Sequence, residues 1–120
     1  MSDTLLKLPT GLDTLLTGLC LDFPRREEIL RTGEGNFRVR MEYAYLNARV
    51  YEAAREECAD DEETRLYLEE IGAKIGYANS RAVCSESTYK RKKQRIRQNI
   101  LKKLHLIDAE DGKIFPPATK

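Results

Sequence analysis

A single histidine, no tryptophan and no closely spaced cysteine pair restrict the chemistry open to this chain. The three cysteines, Cys20, Cys58 and Cys84, are odd in number and far apart. That spacing supports neither a zinc site nor a disulfide framework. Three reduced, packed thiols in a cytosolic protein is the plainer expectation. His105 has no Ser or Cys partner in a catalytic motif, and no glycine-rich phosphate loop occurs. The acidic run Asp60-Asp61-Glu62-Glu63 lacks the alternating ligands and central glycine of a calcium loop, so it reads as a solvated helix start. No enzyme activity, cofactor or metal is expected from these residues.

Glycine and proline are scarce in the middle of the chain. Of seven Gly and four Pro, only Gly72 and Gly76 fall between residues 36 and 111. The middle therefore reads as helical. No apolar run has the length of a bilayer span, and the start lacks the basic-then-apolar pattern of a signal peptide. A cytoplasmic protein with no membrane partner is the expectation.

What is present is charge and a moderate apolar content. Of 120 residues, 41% are apolar and 34% charged, enough for the core of one small domain with long solvated helices. The net charge of +1 hides a strong asymmetry. Nine acids lie between Glu52 and Glu70, against Arg55 and Arg65. Eight bases lie between Ser85 and Leu106, against Glu86 alone. Such a polarised chain points one end at a polyanion and the other at solvent or a partner.

Residues 1–35 read as an N-terminal helical arm of two short helices. The first starts near Thr10, with Asp13 three residues on, and carries Leu12, Leu15, Leu16 and Leu19. The second runs Arg25–Arg31 after the start signal Asp22-Phe23-Pro24 and stops at Gly33 or Gly35. This arm serves either as a cover for the core or as a regulatory or oligomerisation element; the cover is the favoured reading.

Residues 36–107 form the expected main domain. Phe37–Cys58 reads as one helix with two apolar stripes. One is Phe37, Met41, Ala44, Ala48, Tyr51 and Cys58; the other is Val39, Tyr43, Leu46, Val50 and Ala53. The stripes start about 200° apart, so both sides need covering, one by the later helices and the other by the arm or by a second subunit. A homodimer through helix 37–58 is therefore expected. Tyr43, Tyr45 and Tyr51 fit core or interface packing better than base stacking. The next helix starts at Asp60, whose Glu63 three residues on makes a capping box, and runs to about Ile75 with Leu68 and Ile71 inward. Gly76-Tyr77 ends it, and Ala78–Cys84 follows.

The last helix, Ser85–Leu106, carries the functional signal. Tyr89, Ile96, Ile100, Leu104 and Ile107 keep one face apolar at spacings of seven, four, four and three. Lys90, Arg91, Lys92, Lys93, Arg95, Arg97, Lys102 and Lys103 supply the charge. Hydroxyls at a helix start hold phosphates, and Arg or Lys a turn further in reach guanine edges. The residues expected at a DNA surface are Ser85, Ser87, Thr88, Lys90, Arg91, Lys92, Gln94 and Arg95, with Arg81 as an added phosphate contact. No aromatic is interleaved on the basic face, which favours duplex DNA over RNA. Salt bridges to the acidic helices are the alternative use for Lys92, Lys102 and Lys103. Residues 108–120 form a tail, where Asp111-Gly112 between Ile107 and Ile114-Phe115 allows a short β-ribbon.

Leu68, Ile71, Ile75 and Gly76, followed by Ser85, Ser87, Thr88, Tyr89 and Arg91, resemble the helix-turn-helix of phage late-transcription regulators of the ArpU/RinA type. The same pattern is similar to the promoter-recognition domain of sigma factors. The resemblance covers about residues 61–106. It implies a DNA-binding regulator with Ser87, Thr88, Lys90 and Arg91 at the DNA, and RNA polymerase as a further partner. The chain departs from that pattern at Ala78–Cys84, where the family turn is tight. The insertion either adds a contact through Arg81 or extends the helix with Ala82 and Val83 inward. The expected fold is all-α: a three-helix helix-turn-helix core, two short N-terminal helices and room for a small C-terminal β-ribbon. The rival to a DNA-binding regulator is a helical protein–protein adaptor, such as a phage packaging or assembly component.

Overall fold

The computed structural model describes residues 8–107, and every element in them is helical. The allowed β-ribbon around Asp111-Gly112 lies outside the described residues. Helices α1 (Thr10–Leu21), α2 (Phe23–Thr32), α3 (Phe37–Arg55), α4 (Asp61–Gly72) and α5 (Glu86–Lys103) follow one another, with a single 3-10 turn at Tyr77–Asn79 before α5. The all-α expectation holds. Among the described residues no helix is long and apolar enough to cross a membrane.

α1 buries Leu16 and Cys20, one turn apart, against α4. Its start differs from the expected one. Pro9 precedes the helix, Thr10 is its first residue and makes no capping bond. Asp13 pairs instead with Arg97 of α5. α2 begins two residues earlier than expected, at Phe23, with Pro24 in its first turn. Gly33, at φ 79°, ends it with a left-handed residue whose N–H donates to the Ile29 carbonyl. Arg26, with no apolar character to mark it, is buried on α2. Its guanidinium donates to Asn47 Oδ1 at 2.6 Å and to the Leu19 carbonyl at 2.6 Å, tying α1, α2 and α3 together. A buried guanidinium is tolerated only when its donors are met in this way.

α3 is capped by Asn36, whose Oδ1 accepts the Val39 N–H at 2.9 Å. It ends at Arg55, three residues short of the expected Cys58. Its C-terminal half is central: Val50, Ala53 and Ala54 are fully buried, with α4 and α5 packed on them. Its N-terminal half lies against α2 through Tyr43 and Asn47, and Phe37, Met41, Ala44, Tyr45 and Ala48 stay exposed. The three tyrosines of α3 carry cations: Arg25 lies over Tyr43, Arg49 over Tyr45 and Arg65 over Tyr51.

Asp60 caps α4 as expected, and Glu63 reaches back one residue past it, to Ala59 rather than to the Asp60 N–H. Asp60 Oδ1 accepts the Glu63 N–H at 2.8 Å, and Glu63 Oε1 accepts the Ala59 N–H at 2.7 Å. The helix stops at Gly72 rather than near Ile75. Lys74 turns left-handed at φ 59°, and the Ile75 N–H closes back on the Glu70 carbonyl at 2.9 Å. At Gly72 the α4 backbone touches α1. A Cβ placed there would lie 2.6 Å from the Leu21 nitrogen. Leu16, Cys20, Phe23, Tyr67, Leu68, Ile71, Tyr89, Ile96 and Ile100 form one continuous core, so α1 closes the same interior that α5 enters.

Candidate nucleic-acid interface

Ser85 starts α5 as expected. Its Oγ accepts the Thr88 N–H at 3.2 Å and donates to Thr88 Oγ1 at 3.0 Å. Caps of this kind contribute about 1 kcal/mol. The inner face is set by Tyr89, Ile96, Ile100 and Leu101, each 1% exposed or less. Burying each contributes roughly 1.5–3 kcal/mol, far more than any surface ion pair at about 0–1 kcal/mol. Apolar docking therefore decides which cations face outward.

That docking divides the eight cations into two groups. Lys92 turns toward α4, where its Nζ donates to Glu63 Oε2 at 2.6 Å and lies 5.9 Å from the Tyr67 ring centre. Lys93 reaches the Ile75 carbonyl at 2.8 Å and the face of Tyr89, and burial depresses its pKa. Arg97 pairs with Asp13, and Lys103 with Glu56 at 2.8 Å. These four hold the fold. Lys92, expected at the DNA surface, points instead toward α4, because it projects about 100° from Arg91.

On the side of α5 away from the core Ser87, Arg91 and Arg95 are exposed, and Gln94, Gln98 and Lys102 on the same side are half-buried. Arg91 and Lys102 have no ion-pair partner among the described residues. Arg95 stands 3.8 Å from Glu57, at the loose limit of a salt bridge. Lys90, on the flank, pairs with Glu86 one turn back at 2.9 Å. Gln98 and Lys102 were not among the expected contacts. Their signal is the continued spacing from Ser87 through Arg91 and Gln94.

The insertion before α5 is neither a helical extension nor a tight turn. After the 3-10 turn the chain runs without helix from Ser80 to Ser85, and Val83 is 98% exposed rather than packed inward. Glu70 of α4 anchors this segment. Only 1% exposed, it accepts bonds from Ser80 Oγ at 2.6 Å, the Arg81 N–H at 2.9 Å and the Tyr89 hydroxyl at 2.8 Å. Burial raises its pKa, but those three donors outweigh the burial and hold it below the usual carboxylate range. The Tyr77 hydroxyl donates to the Cys84 carbonyl at 2.7 Å, and the rings of Tyr77 and Tyr67 both lie against Tyr89. Arg81 projects from the segment and pairs with Glu69 at 2.9 Å, both side chains being exposed.

α4 and α5 therefore meet through side chains at the start of α5, while their backbones rest mainly on α1 and α3. Ser85, Ser87, Thr88, Lys90, Arg91, Gln94 and Arg95 come together on and beside one surface, with Arg81 set back on the connecting segment. Comparison of the chain with protein-family models, curated proteins and solved structures gives no match.

Proposed function

We propose that α5 binds duplex DNA in a sequence-dependent way and that the protein is a transcriptional regulator. The observation that carries this reading is the outward face of α5. It presents Arg91, which has no ion-pair partner among the described residues, with Gln94 near the start of a helix capped by Ser85, and Gln98 and Lys102 follow on the same side toward its end. Arginine and glutamine are the side chains best matched to guanine and adenine edges in the major groove, and hydroxyls with helix N–H groups suit phosphate. Lys90 and Arg95 are held only by exposed or loose pairs that a phosphate can replace. The resemblance of Leu68–Arg91 to phage late-transcription regulators extends the proposal to phage or prophage gene control, with RNA polymerase as a second partner.

Duplex binding measured by fluorescence anisotropy across salt tests the reading. About four cationic contacts give a slope of log affinity against log salt near −3 to −4. No binding to any duplex at low salt would end the proposal. The helical adaptor is favoured by one observation: Lys92, Arg95, Arg97 and Lys103 are paired with the chain's own acids. An adaptor would bind an acidic protein surface and ignore duplex DNA at the same salt.

A further inference from the structure

A cavity of about 670 Å³ lies between the first half of α5, the start of α1 and the 3-10 turn. Lys90, Lys93 and Arg97 line it from α5, where steps of three and four residues put them on one face. That face is turned about 150° from the one that carries Arg91, Arg95 and Lys102. Leu8 and Tyr77, both half-buried, give the cavity apolar surface. The lining charges do not balance: three cations stand against one carboxylate, Asp13, which is already paired with Arg97. Lys93 has no ion-pair partner among the described residues. Its Nζ meets only the neutral Ile75 carbonyl at 2.8 Å and the Tyr89 ring at 5.1 Å. Burial and the nearby Arg97 depress its pKa against the pull of Glu70, so the ammonium is costly where it stands.

We propose that this cavity binds a small organic phosphomonoester of nucleotide size, with the phosphoryl group at Lys90, Lys93 and Arg97 and the apolar part against Tyr77 and Leu8. Three lining cations less one acid leave two positive charges, which a phosphomonoester dianion neutralises. Charge-assisted bonds to such an oxygen cluster are stronger than the bond Lys93 now makes to a neutral carbonyl. Arg97 spends one nitrogen on Asp13 and keeps others for a second acceptor. Lys90 is held only by its exposed pair with Glu86 at 2.9 Å. The volume and the mixture of apolar wall with a few convergent charges match small-ligand pockets. A neutral ligand would leave Lys93 uncompensated, and a bare inorganic ion would leave the apolar surface unused. The site does not depend on the DNA reading.

Calorimetric titration of the full chain in phosphate-free buffer tests this, with adenosine monophosphate and phenyl phosphate as probes. Each should bind with a Kd on the order of 0.1–1 mM, suited to a few charge-assisted bonds in a half-open site. Adenosine and inorganic phosphate should each bind about tenfold more weakly. Lys93→Met should weaken both phosphomonoesters about tenfold. Thr10→Glu is a second variant that spares the fold, because Thr10 is exposed in the first turn of α1, where an acid suits the helix. Its carboxylate at the cavity should weaken both probes about fivefold. Arg91→Ala, on the other face, should leave them unchanged. The proposal is overturned if neither phosphomonoester binds up to about 10 mM, if adenosine or inorganic phosphate binds as tightly, or if both variants bind as the wild type does. Duplex affinity that falls in Lys93→Met, with no phosphomonoester bound, would assign the cavity to a DNA backbone phosphate; it would overturn this proposal and leave the DNA reading standing.

Discussion

The Tyr89 hydroxyl donates to Glu70 Oε1 at 2.8 Å, joining the first turn of α5 to a carboxylate on α4 that is nearly sealed from water. The same carboxylate holds Ser80 and Arg81, so a single buried anion fixes both the helix and the segment leading into it.

Glu70 is thus expected to make stability depend on pH. Its folded pKa lies below the ordinary glutamate value, so folding favours the ionised form. That stabilisation is complete above the ordinary range near pH 4 and is lost as pH falls through the depressed folded value. Glu70→Gln should flatten the acid limb of a stability-versus-pH curve measured by urea unfolding. Tyr89→Phe, which removes one donor, should cost about 1–2 kcal/mol near neutral pH. An acid limb unchanged in Glu70→Gln would show that other carboxylates control it.

Gly72 gives a second prediction. The atoms that an added Cβ would strike are the Leu21 nitrogen at 2.6 Å and its Cα at 2.7 Å, and backbone cannot swing aside as a long side chain can. Gly72→Ala should separate α4 from the end of α1 and cost about 1–3 kcal/mol, read as a lower denaturation midpoint. A midpoint equal to that of the wild type would mean that the two helices slide apart freely.

The two groups of cations on α5 should respond oppositely to mutation. Arg91→Ala should weaken duplex binding about tenfold and leave stability unchanged. Lys92→Met removes the contact with Glu63 and should lower stability by about 1 kcal/mol, with duplex affinity nearly intact. If Lys92→Met weakens duplex binding as much as Arg91→Ala, the face assigned to DNA is wrong.

The thiols should differ in reactivity. Burial raises Cys20 to about 12 and Cys58 to about 11, so thiolate is scarce at both. Cys84 is only partly covered. Iodoacetamide at pH 8 should modify Cys84 first in the native protein and all three residues after unfolding, as mass spectrometry of timed samples would show. Alkylation of Cys20 at the rate of Cys84 would contradict the packing of α1 against α4.

Periodicity made much of the fold legible. Tyr89, Ile96 and Ile100 mark the buried side of α5 by spacing alone, and Ser85 and Asp60 announce their helix starts by chemistry that acts within four residues. The end of α4 was not legible, because Ala73, Lys74 and Ile75 all suit a helix. The chain turns at Lys74, a residue without the left-handed preference of glycine, where Gly72 must lie flat against α1. The candidate face was legible only in part. Which cations face outward depends on partners such as Asp13 and Glu63, distant in sequence and matched only once the helices are assembled. The burial of Arg26 is illegible for the same reason: nothing near it in sequence says that it will be enclosed.

The pairing of Arg97 with Asp13 bears on the order in which the molecule is completed during synthesis. It links residues 84 positions apart, and α5, the last helix described, brings Tyr89, Ile96, Ile100 and Leu101 into the shared core. A nascent chain that has released only α1 to α4 lacks those side chains and carries its acidic stretch without the compensating bases. The helix proposed to bind DNA also lines the interior, so on that proposal competence to bind and completion of folding arrive together. Ribosome-arrested chains of increasing length should gain protease resistance in one step, when α5 clears the exit tunnel.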